Sequence, residues 1–231
     1  LPLASQLPEI TAPLGVVAVN ESLKNCILYI PLGGVFTLFS EKSATVQRCS
    51  MNIAFRSSVL LHDATVNIWG WAKPKATVKI NPSWLNLKKP IKVKADAEGF
   101  WILPVQTLAA SYDAHSIVIK AGKEVKEITN ILFGEVWLCS GQSNMEWPVR
   151  KTPDMQAELK KGANKGIRLY CTGRTYASTP QTEVPAQRKH KAQWSICNAK
   201  SLRDFSAVGY GFGKELQEKL NVPIGLIDAS Y

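Results

Sequence analysis

Two hydrophobic rhythms divide this chain. From Val59 to about Ile131, apolar and polar residues alternate in period two. "ATVNIWGWA" (Ala64 to Ala72), "ATVKI" (Ala76 to Ile80) and "IKVKA" (Ile91 to Ala95) each put their apolar side chains on one face. That is the pattern of a strand with one face on a core and the other in water. Lys73-Pro74-Lys75 reads as a turn between the first two strands, and Asp96-Ala97-Glu98-Gly99 as a hairpin-like loop into "FWILPV". "HSIVIKAGKEVKEITNILF" supplies two more strands around Ala121-Gly122. Several short strands at this spacing predict an antiparallel β-sandwich.

The rhythm then changes. "EVWLC" (Glu135 to Cys139), "IRLYC" (Ile167 to Cys171) and "IGLIDAS" (Ile224 to Ser230) are nearly continuous apolar runs, as parallel strands covered on both faces require. Thr152-Pro153-Asp154 offers an N-cap, a proline at the first helical position and an early acid, and Met155 and Leu159 follow four apart. Together they predict a helix. Phe205, Val208, Phe212, Leu216 and Leu220 recur at helical spacing. Strand, helix, strand, long loop, helix, strand is the order of a parallel α/β sheet. The expected fold class is α/β, with an antiparallel β-sandwich-like domain over residues 51–130 and a parallel α/β domain over residues 131–231. Residues 1–50 mix short apolar pieces with Pro and Gly and read as irregular or weakly stranded.

Charge adds a question about partners. Over 231 residues the formal charge is +10, which brings nucleic acid and acidic polysaccharide into view. The excess is dispersed, however. Lys73, Lys75, Lys79, Lys88, Lys89, Lys92 and Lys94 fall where the alternation puts a wet face, and Arg188-Lys189-His190-Lys191 sits in a polar loop. There is no basic helix, zinc-finger spacing or aromatic RNA-binding signature. The charge reads as a solvated surface, and no nucleic-acid partner is expected.

Cys26, Cys49, Cys139, Cys171 and Cys197 are widely spaced and form no CxxC, so neither a metal site nor a thioredoxin-like motif is indicated. No run reaches the ~18 uninterrupted apolar residues of a membrane span; "CILYIPLGGVFTLF" comes nearest and is broken by Pro31, Gly33 and Gly34. The chain begins with Leu1, which reads as processed or incomplete. Asn20-Glu21-Ser22 fits a glycosylation sequon and matters only in a secreted protein.

The chemistry concentrates in "GEVWLCSGQSNMEWPV" (Gly134 to Val149), where a buried strand stops at two serines. Ligands in open α/β sheets bind beyond the carboxyl ends of the strands, and Gly141 permits a sharp turn just before Ser143. This is not the GxSxG elbow, because Met145 stands two residues after Ser143. Taken alone, a serine-rich loop capping a helix explains these residues equally well. The whole stretch, however, resembles the signature of the sialate O-acetylesterase family within the SGNH hydrolases. "IWGWAKP", "AEGFWILPV" and "FSAVGYGFGKELQEKLNVPIGLI" are similar to family members too, in the same order. The resemblance runs from roughly Val59 to Ser230.

The resemblance implies an SGNH-type α/β domain, truncated here, behind a β-sandwich accessory domain. It makes Ser143 the catalytic nucleophile, with its own N–H as one arm of an oxyanion hole, and places Gln142 and Asn144 beside the substrate. It implies hydrolysis of O-acetyl esters on sialic acid or a related sugar or glycan, without metal or organic cofactor, in an extracytoplasmic setting. Trp69, Trp71, Trp84 and Trp101 offer faces for stacking on sugar, although their strand positions read first as core.

The sequence also departs from the family. Members continue past the strand matching "IGLIDAS" with an aromatic residue and a Gly-Gly pair, one glycine giving a second oxyanion N–H. An asparagine donor and an Asp-x-x-His segment follow. Tyr231 occupies the aromatic position, and the remaining features do not occur in these residues. His190 lies in a solvated "RKHK", His62 and His115 belong to the β region, and Asp228 reads as a loop or helix-capping acid. The expectation is either part of a longer O-acetylesterase, whose activity needs the complete protein, or an inactive glycan-binding module.

Overall fold

The computed structural model describes residues 16–18, 26–29, 56–172 and 193–230. In chain order the strands are β1 (Val16–Ala18), β2 (Cys26–Tyr29), β3 (Val59–Leu61), β4 (Thr65–Trp71), β5 (Thr77–Pro82), β6 (Ile91–Lys94), β7 (Phe100–Gln106), β8 (Ser111–Ala121) and β9 (Glu124–Gly141). The short helix α1 (Ser143–Glu146) follows, then β10 (Asn164–Cys171), β11 (Ser195–Cys197), α2 (Ala199–Leu202), α3 (Ala207–Leu220) and β12 (Ile224–Ser230). The described residues are thus mixed α/β and mostly strand, around one mixed sheet.

That sheet has ten strands, and β9 is its longest at 18 residues. Its first half pairs antiparallel with β8, through the Ala121–Glu124 hairpin that Gly122 closes at φ 60°. Its second half pairs parallel with β12, from Glu135↔Ile224 to Gly141↔Ser230, and β12 pairs parallel with β10. On the other side of β9 lie β3, parallel, and β2, antiparallel. β5 and β6 extend the sheet beyond β8, while β4 and β7 form a separate two-stranded antiparallel sheet.

Lys73-Pro74-Lys75 forms the expected turn, with Ala76 N–H donating to the Lys73 carbonyl at 2.9 Å, but neither it nor Asp96-Ala97-Glu98-Gly99 joins two paired strands as a hairpin. Each carries the chain between the two sheets, because β4 pairs with β7 and β5 with β6. The crossings are tied together: Lys75 N–H donates to the Asp96 carbonyl at 3.0 Å and Ala72 N–H to the Gly99 carbonyl at 2.8 Å. Gly99 sits at φ 89°, and a Cβ there would lie 2.3 Å from the Ala72 oxygen, so only glycine fits.

The Thr152 helix does not form either. Pro153–Met155 and Glu158–Lys160 are single 3-10 turns, and Thr152 makes no side-chain cap. Gln156 explains this, since its amide nitrogen donates to the carbonyls of Val149, Arg150 and Thr152 at 3.0–3.2 Å. That side chain serves the carbonyls of a tight turn instead of leaving them to a helical ladder. Met155 and Leu159 still pack on the core.

Three cores follow from this pairing. Ile68, Trp101 and Val105 of the small sheet meet Val78, Ile80, Ile117, Ile119 and Phe133 of the large one. Trp137, Cys139, Ile167, Leu169, Leu226, Phe205 and Tyr210 pack one face of the parallel strands against α3. Val59, Leu132, Val136 and Ile227 pack the opposite face. α3 comes as close as its glycines allow: a Cβ on Gly213 would fall 2.6 Å from Leu226, and one on Gly209 would fall 3.0 Å from Cys139 Sγ.

Candidate active site at the end of β9

β9 runs to Gly141, two residues beyond Cys139, and Gly141 turns the chain at φ 153°. Gln142 remains extended, and α1 begins at Ser143. Ser143 therefore stands just past the carboxyl end of a strand flanked by parallel β12, where ligands of open α/β sheets collect. Gln142, Ser143 and Asn144 are all exposed. Among the described residues, neither the hydroxyl nor the N–H of Ser143 has a hydrogen-bond partner, so both are free to meet a substrate.

The turn is held from beneath. Met145, wholly buried, points into the core between β9 and α3. Its amide donates to the Gln142 carbonyl at 2.7 Å. Ser206 is equally buried; its hydroxyl donates to Met145 Sδ at 3.3 Å and accepts from Gly209 N–H at 3.0 Å, capping α3. Val149 N–H donates to the Phe205 carbonyl at 3.0 Å, and Ala207 N–H to the Trp147 carbonyl at 2.8 Å. An ion pair joins Arg150 to Asp204. The segment after Ser143 is thus clasped to the start of α3, which gives an exposed loop the support of a buried one. Ser206 escaped the sequence reading, although a serine just before a helical apolar pattern is an N-cap signal.

No described histidine serves Ser143. His62 Nδ1 lies 2.8 Å from Asp63 and Nε2 3.2 Å from Glu135. The hydrogen bond to Asp63 chiefly raises its pKa, with Glu135 adding to the rise against a partial burial cost. Glu135 is six positions before Gly141 on β9, about 20 Å along a strand. His115 stacks on Phe133 with centroids 4.6 Å apart and meets Trp84 edge-on at 5.8 Å. Burial lowers its pKa against the pull of Asp113, and its strand partner Ile131 is farther still from Gly141. His190 lies outside the described residues. Among the described residues no cluster of His, Cys, Asp and Glu has the arrangement of a metal site.

Asp228 belongs neither to a loop nor to a helix cap. It lies within β12, opposite Cys139, and is 7 % exposed. Its Oδ1 accepts from the Ser230 hydroxyl at 2.6 Å and from the Ser230 N–H at 3.0 Å. It shapes the strand end beside the Ser143 turn. Trp84 and Trp101 are buried core residues, whereas Trp69 and Trp71 are half-buried and cluster with Phe100 on the small sheet. Cys139 is fully buried, and Cys171 is half-buried.

A cavity of about 560 Å³ opens at the opposite, amino-terminal end of the parallel strands, lined by Glu158, Asn164, Cys197, Tyr210, Lys214 and Gln217 among others. Burial pushes the Glu158 carboxyl up. Hydrogen bonds from Lys161, Tyr210 and Lys214 outweigh that and hold it at about 2. Burial pushes the Cys197 thiol up to about 12, which leaves it protonated and unreactive. This constellation joins a 3-10 turn to α3 and stands apart from Ser143.

No model of a known protein family matches the chain. It is 29 % identical over 176 residues to the sialate O-acetylesterase of Pongo abelii and 28 % identical over 176 residues to that of Homo sapiens. Each alignment covers 71 % of this chain and 33 % of the relative, so the chain spans about a third of the length of the curated relatives it matches. A solved structure of a carbohydrate acetylesterase from Xanthomonas citri superposes with a TM-score of 0.67 at 28 % identity, covering 77 % of this chain and 39 % of that one. In sequence and in fold alike, the chain is similar to part of the sialate O-acetylesterases and of this carbohydrate acetylesterase.

Proposed function

We propose that this chain carries the nucleophile of a carbohydrate O-acetylesterase and that Ser143 is that nucleophile. The observation that carries the reading is the unencumbered hydroxyl and N–H of Ser143, on a braced turn beyond the carboxyl end of β9. In the reaction the Ser143 hydroxyl attacks the acetyl carbonyl of the sugar ester and gives its proton to a general base. The Ser143 N–H donates to the oxyanion of the tetrahedral intermediate. The intermediate collapses, the sugar hydroxyl departs with a proton, and water then releases acetate from the acetyl-serine. Gln142 and Asn144, exposed on either side, bind the sugar. The substrate is an O-acetylated sugar such as sialic acid, the substrate class in the relatives' name. The chemistry requires no metal or organic cofactor.

The base is neither His62 nor His115, whose partners and positions bind them elsewhere. His190 and residues encoded beyond Tyr231 are the remaining sources. The finer architecture that suits this reading is a β-sandwich accessory domain over 51–130 and an SGNH-type α/β domain over 131–231, in a protein that works outside the cytoplasm. The test is hydrolysis of an activated acetyl ester by this chain, by the protein with all that its gene encodes beyond Tyr231, and by Ser143→Ala and His190→Ala forms of each. We expect turnover only in the longer protein, lowered about 10⁴–10⁶-fold by Ser143→Ala and unchanged by His190→Ala. Undiminished turnover in the Ser143→Ala form of the longer protein would refute the assignment.

A further inference from the structure

The wet face of the antiparallel strands holds an arrangement that the alternation alone does not disclose. In the register, Lys92 on β6 stands opposite Lys79 on β5, and Lys79 stands opposite Lys120 on β8. All three are exposed, while their strand neighbours Val78, Ile80 and Ile119 are buried, so the three side chains share the outer face. Lys94, opposite Thr77, adds an exposed charge one rung away, and exposed Lys88 and Lys89 lie in the loop that enters β6. Neighbouring strands lie about 4.8 Å apart, so three ammonium groups leave the sheet in a row about 10 Å long.

Like charges directly opposed on a sheet destabilise it. Among the described residues, Lys79, Lys92, Lys94 and Lys120 make no ion pair that would offset the repulsion directly. The acid of this face, Glu127, stands a rung away opposite Val118. A row that costs stability without an internal counter-charge fits an external anion.

We propose that the Lys92–Lys79–Lys120 row is a docking surface for an acidic polysaccharide bearing one carboxylate or sulfate per sugar unit. The strand spacing is comparable with the repeat of a pyranose chain, so successive anions meet successive ammonium groups. Lysine suits this task, being a compact charge on a flexible stem. The face lacks what other polyanions use. Trp69, Trp71 and Phe100 lie on the separate β4–β7 sheet, so no aromatic platform accompanies the charges, as single-stranded nucleic acid requires. No helix projects from it for a DNA groove. Val125, opposite Lys120, is its exposed apolar side chain and too small to anchor a membrane. Val125 also precedes Gly141 by sixteen positions (141 − 125) on β9, so this surface is distinct from the Ser143 site and does not depend on the esterase reading.

The experiment measures binding of the full chain to polygalacturonate, neutral dextran, a short DNA duplex and phosphatidylserine vesicles at physiological salt. Polygalacturonate should bind with an affinity that falls as salt rises, and dextran should not bind. Lys79→Glu/Lys120→Glu should weaken polygalacturonate binding at least about tenfold, while Lys160→Glu/Lys200→Glu, with the same change in net charge, should stay within about twofold. Lys79→Glu alone should also raise the unfolding midpoint in urea, because it turns two repulsions into attractions. Absence of polygalacturonate binding, tighter binding of DNA or vesicles, or an equal loss in the control pair would each overturn the proposal.

Discussion

The two halves of β9 live in different surroundings. Up to Asn130 it alternates, with Ile128 buried and Val125 57 % exposed, as suits a strand that walls one core and faces water. From Gly134 on it is flanked on both edges and packed on both faces, against α3 on one side and the Val59–Ile227 cluster on the other. Asn130 marks the change with φ 61°, and its amide holds Ser57 and the buried Arg168. The first half borders the face that carries the Lys92–Lys79–Lys120 row. The second delivers an unencumbered serine. One strand thus borders a broad charged surface at one end and leads into an exposed serine turn at the other, because the number of covered faces differs along it.

The comparison breaks most readily in the antiparallel half. Trp101, 2 % exposed, fills the space left by Gly70. Trp101→Ala should cost about 3–5 kcal/mol in urea unfolding; a loss under about 1 kcal/mol would contradict the packing described for the two sheets.

Next comes the joint. A Cβ on Gly134 would lie 2.0 Å from the Pro223 carbonyl, which accepts from Glu135 N–H at 2.9 Å. Gly134→Ala should cost about 3 kcal/mol and loosen both halves together. Hydrogen exchange that speeds up in only one half would show that the shared strand does not couple them.

Two ion-paired groups, one beside α3 and one at the joint, should also respond to pH in opposite directions. Glu158, held at about 2 against an ordinary 4.5, contributes stability to the parallel half above pH 4.5 that is lost as pH falls towards 2. Glu158→Gln should remove of order 2 kcal/mol at neutral pH and flatten the acid limb. His62, raised above 6.5 by Asp63 and Glu135, contributes below pH 6.5 and loses its contribution as pH rises through its folded pKa. With Asp63 64 % exposed, Glu135→Gln should cost under about 1 kcal/mol, visible only in acid. A His62 NMR titration with a midpoint below 6.5 would contradict this pairing.

Much of this was legible in the residues. Alternation located the strands up to Ile131, and continuous apolar runs located β10, β12 and the second half of β9. Partners were not legible: neighbouring β4 and β5 lie in different sheets, because period two reports which face is buried and says nothing of which strand lies alongside. The Thr152 helix failed for a similar reason, since Gln156 reaches back to three carbonyls that no periodicity count includes. At the site, the motif singled out Ser143. The Ser206–Met145 contact that braces it joins residues 61 apart and emerges only on folding.

The central claim is that Ser143 forms the covalent intermediate. The most direct test treats the protein, with everything its gene encodes beyond Tyr231, with a phosphonofluoridate that forms a P–O bond to an activated serine and releases fluoride. Peptide mapping by mass spectrometry then locates the adduct. The account predicts one adduct, on Ser143, absent from Ser143→Ala and from protein unfolded before treatment. An adduct on Ser140 or Ser230, or acetyl-ester turnover that survives with no label on Ser143, would contradict it.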